Sequence, residues 1–499
     1  MNLPLINPKK HRQLFLDDHA IETMSGVQNH GWQRTLRPPK KCGPVIRPDQ
    51  SRGQRSLQSR SVPQWNSEKE LWEWWYFGEN VYYATSTDGE NWERPSLGLY
   101  DWNGSKDNNI ACPSNGERLT HVIRDERDER DERDEDPQRR YKGLFTRRLL
   151  AGSSSRFLGV SPDGFDWTIL DVPPIPSSDE AHFTYDEISG QYLAMVKHGT
   201  EWGRSVFLST SVDFAHFTEP KLIFHSDEID RENCRQRVRE VIENPAYITP
   251  PLTDDIDYIA EVYQMAVMPY EGLYLGFPGL FNPFGAIPPP EKNYTRINQV
   301  ELALSRDLYH WDRVADRALF IGIDPWDGEN YGTSQNLLCG RPIVRQDLGE
   351  IWVYYNALRM PGGLENYKIF NRNKELFRLD VEPELFDDAG ALSLAKLKMD
   401  RFVALEAGES ATITTKPFML KGEDLYINVD AKWGAIYTEI VDAETLKRFP
   451  GFTIIGEQIT GDHIRARVEW KEPHDLVFEK PVRIIFDLHQ ARLYSFWLE

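Results

Sequence analysis

No stretch of 18 apolar residues occurs in the 499-residue chain, so no membrane-crossing helix is expected. Cysteine is scarce. The 4 residues, Cys42, Cys112, Cys234 and Cys339, are widely spaced and form no ligand pattern, so reduced and mostly buried thiols are expected. Positive charge is in short supply as well. With 58 Lys and Arg against 78 Asp and Glu, the formal net charge is -20. Such a surface repels phosphate backbones and argues against nucleic acid as a partner. The segment Met1 to Lys10 has no apolar signal-peptide region. Together with the cysteines, this gives a cytoplasmic expectation. Also missing are a Gly-x-Ser-x-Gly elbow, a phosphate-binding Walker loop and a His-Glu-x-x-His pair. Asp324 to Asn330 has the wrong acid spacing for a calcium loop. No metal site and no cofactor are therefore expected, with a lone channel Ca²⁺ left open.

What the chain does have is aromatics, 12% of residues, and a repeated turn. Ser86-Thr87-Asp88-Gly89-Glu90-Asn91-Trp92 returns as Ser161-Pro162-Asp163-Gly164-Phe165-Asp166-Trp167. Weaker copies start at Ser211 (Asp213, Phe217) and Ser305 (Asp307, Trp311). Each follows a short apolar or alternating run and leads into another extended segment. An Asp that can bond its own backbone, followed by a Gly free to take positive φ, makes a β-hairpin turn. Hairpins recurring at long intervals point to propeller blades. Leu392 to Phe402 reads as a fifth, worn copy, so the count is five blades.

The fold class expected is all-β: a five-bladed β-propeller followed by a β-sandwich. The propeller is assigned to residues 1–402, with a helix inserted near 226–243 behind an N-cap at Ser226 or Asp227. Ile229, Val238, Val241 and Ile242 would form the helix's apolar face. Residues 403–499 alternate short strands with Gly turns and read as an antiparallel sandwich. The Pro-rich segment Pro278 to Asn293 reads as a loop closing one channel end, and the Arg-Asp-Glu repeat 124–136 as a solvated charged segment.

In a propeller, the innermost strands line a central channel, so distant positions build one site. Carboxylates next to those strands are the candidates: Asp17 and Asp18, Asp179 and Glu180, Asp257 and Glu261, and Glu329. Two opposed carboxyl groups can flank a glycosidic bond, one as acid and one as base or nucleophile. His182, Arg55, Arg60, Tyr331 and Glu301 are the candidate substrate-binding residues. Glu261 and Glu301 stand out as acids inside otherwise apolar strands, tolerable where a strand faces a wet channel.

The hairpins, the opening Leu14-Phe15-Leu16-Asp17-Asp18 and the trailing sandwich resemble the five-bladed propeller glycosidases. That superfamily includes arabinanases, β-xylosidases, invertases and levanases. More closely, the chain resembles family 32/43-like bacterial hydrolases. The resemblance implies an Asp, an Asp and a Glu on successive blades. Asp17 or Asp18 would match the first, and Asp179 or Glu180 a later one. The invertase-type Asn-Asp-Pro-Asn-Gly, Arg-Asp-Pro and Glu-Cys signatures are absent. The expected function is hydrolysis of a small oligosaccharide. The alternatives are a carbohydrate-binding propeller without catalysis, or a glycoside phosphorylase in which Arg55, Arg60 and His182 hold phosphate. The partner expected is a carbohydrate, with homo-oligomerisation left open.

Overall fold

The computed structural model describes residues 5–26, 31–114, 117–125, 136–148, 154–247, 260–283, 296–360, 372, 382–448, 454–471 and 476–499. The described chain is almost entirely β, and its strands fall into successive antiparallel groups. The first four-stranded sheet runs from Gln64–Asn66 to Ile110–Cys112. A five-stranded sheet follows between Glu117–Arg124 and Ile175–Ser177. A second four-stranded sheet spans Ala181–Asp186 to Lys221–Phe224. The next ten-stranded sheet comprises two groups, one on the hairpin Glu261–Tyr270/Leu273–Pro283 and one on Glu350–Leu358/Gly390–Lys398. A single parallel bridge, Asn298 to Gln335, joins them. Strand Lys40–Ile46 pairs with Gly390–Lys398, so the start of the chain closes the last group.

The four repeated turns lie in four different sheets and share one hydrogen-bond code. The Asp carboxylate accepts from the backbone two and three residues on: Asp88 at 2.8 and 2.8 Å, Asp163 at 2.8 and 2.9 Å, Asp213 at 2.9 and 2.9 Å, Asp307 at 2.8 and 2.8 Å. The residue after the Asp takes positive φ: Gly89 82°, Gly164 83°, Phe214 54° and Leu308 71°. The turns also stitch groups together. Tyr354 Oη of the last group donates to Gly89 O, and Trp75 Nε1 of the first donates to Gly164 O. The expected fifth copy departs from this code: Asp400 itself has φ 65°. Its carboxylate is buried, accepting from Tyr270 Oη and from Ser495 Oγ at 2.7 Å.

The C-terminal strands form a second ten-stranded sheet folded over one apolar core that includes Phe15, Ile427, Phe486 and Phe496. The 18-residue strand Leu425–Asp442 does the folding. Its first part pairs with Arg492–Leu498 and its second with Val482–His489. The expected boundary at 402 assigned residues 13–36 to the other unit. Instead, Gln13–Leu14, Ile21–Gly26 and Trp32–Leu36 are strands of this C-terminal sheet. Ile21 and Met24 pack into its core, whereas Leu14 and Leu36 join the core of the neighbouring ten-stranded sheet, a long-range arrangement that strand pattern alone does not encode.

The helix Glu228–Glu243 starts at Asp227, whose side chain accepts from Asp230 N in a reciprocal capping box. Its buried face is Asp230, Cys234, Val238 and Val241, whereas Ile229, expected inside, is exposed. Strand Leu273–Pro283 runs on through Pro278, which the Pro-rich reading had placed in a loop. Most of the charged repeat lies outside the described residues, but its leading pair is not solvated. Arg124 is buried against Tyr141 and Glu73, and Asp125 pairs with Lys142 at 3.2 Å.

Candidate functional site

A cavity of about 610 Å³ draws its lining from every one of the first five strand groups. Gln58, Arg60 and Phe77 come from the first; Glu117, Arg118, His121 and Arg156 from the second; Asp179 and Glu180 from the third. Tyr263 and Arg296 belong to the fourth, and Gln335 and Asn356 to the fifth. Only a central position between the groups gives one space all five walls. A second cavity, about 1260 Å³, opens among Trp65, Trp72, Tyr185, Ile188 and Ile343, and Arg60 lines it too.

Glu180 is the anchored acid. Arg60 donates from Nε to Oε2 at 2.5 Å and from Nη2 to Oε1 at 2.7 Å. Tyr263 Oη donates to Oε1 at 3.4 Å. Burial alone would raise this carboxyl's pKa, but the Arg60 charge and hydrogen bonds, with Lys197 and Arg156, hold it well below the usual range. Asp179, in the bend just before strand Ala181–Asp186, accepts from the buried Lys197 Nζ at 2.6 Å. Glu117, on the neighbouring sheet, pairs with Arg147. Asp179 and Glu117 keep open carboxyls, 57% and 33% exposed.

His182 is buried next to this site, its ring 6.5 Å from that of His121. Both of its ring nitrogens lack hydrogen-bond partners among the described residues. Burial and the Arg60 charge push its pKa down to about 3.

The structure thus brings Asp179, Glu180 and Arg60 together, with His182 behind them. The other expected residues lie elsewhere. Asp17 pairs with Arg306 on the outer turn of the fourth group, and Asp18 pairs with Arg34 at 2.6 Å. Both follow from residues 13–36 joining the C-terminal sheet. Glu261 is two residues from Tyr263 but is tied to Arg204 and does not line the cavity. Glu301 is fully buried between Arg237 and Arg313, at 2.7 and 2.8 Å, where it fastens the helix rather than facing a channel. Glu329 sits in a turn capped by Asp327, which accepts from Glu329 N at 2.9 Å. Tyr331 donates to Asp388 at 2.5 Å, and Arg55 pairs with Asp387 at 3.0 Å, so both hold the 382–390 segment. Asp257 lies outside the described residues.

Glu117, Arg118, His121, Arg156, Tyr263 and Arg296 were missed. Glu117 and Arg118 open the strand Glu117–Arg124 at the end of its sheet and were legible by the rule that selected Asp179. Arg156 and Arg296 sit mid-sequence among polar residues, and nothing local marks them as inward.

No family model matches the chain, and no curated protein matches it. Solved structures do. A thermostable family-43 glycoside hydrolase is 12% identical, with TM-score 0.39, over 74% of this chain and 95% of that one. A β-fructofuranosidase from Schwanniomyces occidentalis is 11% identical, with TM-score 0.38, over 96% and 100%. A member of the GH130 family of mannoside phosphorylases, described with hydrolases that target β-1,2 mannosidic linkages, is 13% identical, with TM-score 0.35, over 77% and 96%.

Proposed function

We propose that the five strand groups are the blades of a propeller, that the folded C-terminal sheet is a sandwich packed against it, and that the chain cleaves a glycosidic bond in the central cavity. One observation carries this reading: the cavity with five walls holds three carboxylates, Glu117, Asp179 and Glu180, from two of them. Its volume suits a small saccharide, and Phe77 and Tyr263 add aromatic edges to its lining.

The roles divide by environment. Glu180 stays ionised in the grip of Arg60 and faces the positive charge that develops at the anomeric carbon. The proton donor is drawn from Asp179 and Glu117, whose carboxyls are reachable from the cavity. In hydrolysis the bond from the anomeric carbon to the leaving oxygen breaks, and the donor's proton goes to that oxygen. Water supplies the new oxygen and its proton returns to a carboxylate. The test is product analysis on a panel of aryl glycosides and short oligosaccharides. Free sugar should accumulate with the wild type. Asp179→Asn or Glu117→Gln, whichever removes the donor, should lower kcat by roughly 10²–10⁴-fold. Full activity in both variants would overturn the assignment.

A further inference from the structure

The cavity's charge is out of character for this protein. A chain of net charge -20 lines it with Arg60, Arg118, Arg156 and Arg296. The acids nearby are already engaged: Glu180 by Arg60, Asp179 by Lys197, Glu117 by Arg147 and Glu261 by Arg204. Arg156 stands apart. It is 3% exposed, in strand Ser154–Ser161. Among the described residues no carboxylate pairs with it, and its Nε has no hydrogen-bond partner. Among the described residues its guanidinium makes one hydrogen bond, from Nη1 to Ser154 Oγ at 3.3 Å. Burial pushes its pKa down to about 10, even with the fields of Glu180 and Asp179 opposing.

A buried guanidinium with no carboxylate bonded to it is costly, because the fields of Glu180 and Asp179 offset only part of its desolvation. Retained on the wall of a cavity, it is matched to a ligand that supplies the missing negative charge. Guanidinium geometry suits planar and tetrahedral oxyanions, which accept two parallel N–H bonds. Arg118, over the Phe77 ring at 5.1 Å, and Arg296, over Tyr263 at 5.5 Å, line the same space and add positive potential.

We propose that the cavity contains an oxyanion subsite centred on Arg156. This deepens the reading above and rests on it: the saccharide site accepts a group bearing a carboxylate, sulfate or phosphate. The charge comes either from an acidic sugar or from inorganic phosphate bound beside a neutral one.

The test is calorimetric titration and thermal shift at fixed ionic strength. D-glucuronate, inorganic phosphate and neutral D-glucose are the probes, and wild type, Arg156→Gln and Arg156→Lys are the proteins. In the wild type, glucuronate should bind at least about tenfold more tightly than glucose if the source is an acidic sugar, and phosphate should bind if it is free phosphate. Arg156→Gln should weaken the anion by about tenfold or more, a typical loss for a charged hydrogen bond. It should weaken glucose far less than the anion, and Arg156→Lys should restore part of the anion affinity. The ligand-free Tm of Arg156→Gln should equal or exceed that of the wild type. Should that variant fail to fold, the wild-type preference for glucuronate over glucose and the Arg156→Lys affinities decide. Glucose binding without any anion binding would overturn the subsite and leave the saccharide site standing. Anion binding unchanged in Arg156→Gln would also overturn the subsite. Binding of none of the three probes would overturn both.

Discussion

Arg60 and Glu180 meet through two parallel hydrogen bonds, at 2.5 and 2.7 Å, between the first strand group and the third. Arg60 lines both cavities, whereas Glu180 lines the one of about 610 Å³. An amide in place of a catalytic acid usually preserves the fold. Here it would strip a guanidinium that is 5% exposed of its counter-ion. Glu180→Gln should therefore lose activity and also about 3–5 kcal/mol of stability, the usual cost of breaking a buried pair. Urea unfolding measures it, and a loss under about 0.5 kcal/mol would contradict a mutually dependent pair.

Gly164 tests the repeated turn. It has φ 83°, and a Cβ there would lie 2.4 Å from the Trp75 ring of the neighbouring sheet. Gly164→Ala combines left-handed strain with a clash, and should cost roughly 2–3 kcal/mol. Gly98, with φ 66° and open space around its would-be Cβ, is the control. Gly98→Ala should cost only the backbone part, about 1 kcal/mol. Equal losses in chemical denaturation would mean that the turn does not dock.

His182 gives a pH signature. Its pKa is about 3 when folded, against 6.5 for the free side chain. The unfolded chain therefore binds the proton more readily. The stability His182 contributes is fully present above about pH 6.5 and drains away as pH falls toward 3. Between pH 6.5 and 5 the wild type should lose up to roughly 1.4 kcal/mol per pH unit more than His182→Asn. Parallel stability profiles for the two proteins would refute a neutral buried imidazole.

Glu301 separates structure from site. It is fully buried between Arg237 of the helix and Arg313. Burial raises its pKa, against the pull of both arginines. Glu301→Gln should destabilise by about 3 kcal/mol and loosen the helix. Hydrogen exchange should then accelerate along Glu228–Glu243, with sugar binding unchanged. Loss of binding without loss of helix protection would return Glu301 to the site.

What the sequence revealed follows the range of the forces involved. The four turns were legible because their bonds close within three residues, as from Asp88 to Asn91 N. The capped helix was legible for the same reason. The docking of Ile21–Gly26 on Ser410–Thr415 spans nearly the whole chain, and no local pattern announces it. That one pairing moved Asp17 and Asp18 out of the expected site. Asp179 and Glu180, which line the cavity, were legible as candidates because they stand directly before the strand Ala181–Asp186. Arg156 was not, because an arginine among serines reads as surface, and only contacts with distant parts of the chain bury it. The acids expected inside strands, Glu261 and Glu301, answer arginines rather than a channel, and Glu301 lies between the strands Arg296–Val300 and Ala303–Ser305.

The most direct measurement is a crystal structure of the protein with a bound saccharide that it turns over. The account predicts the sugar in the cavity of about 610 Å³, between Arg60 and Arg156. Its scissile oxygen should lie within hydrogen-bond reach of Asp179 or Glu117, and its anomeric carbon should face Glu180. A sugar seated instead against Trp65 and Trp72 in the cavity of about 1260 Å³, or on the exposed Trp433 of the C-terminal sheet, would contradict it.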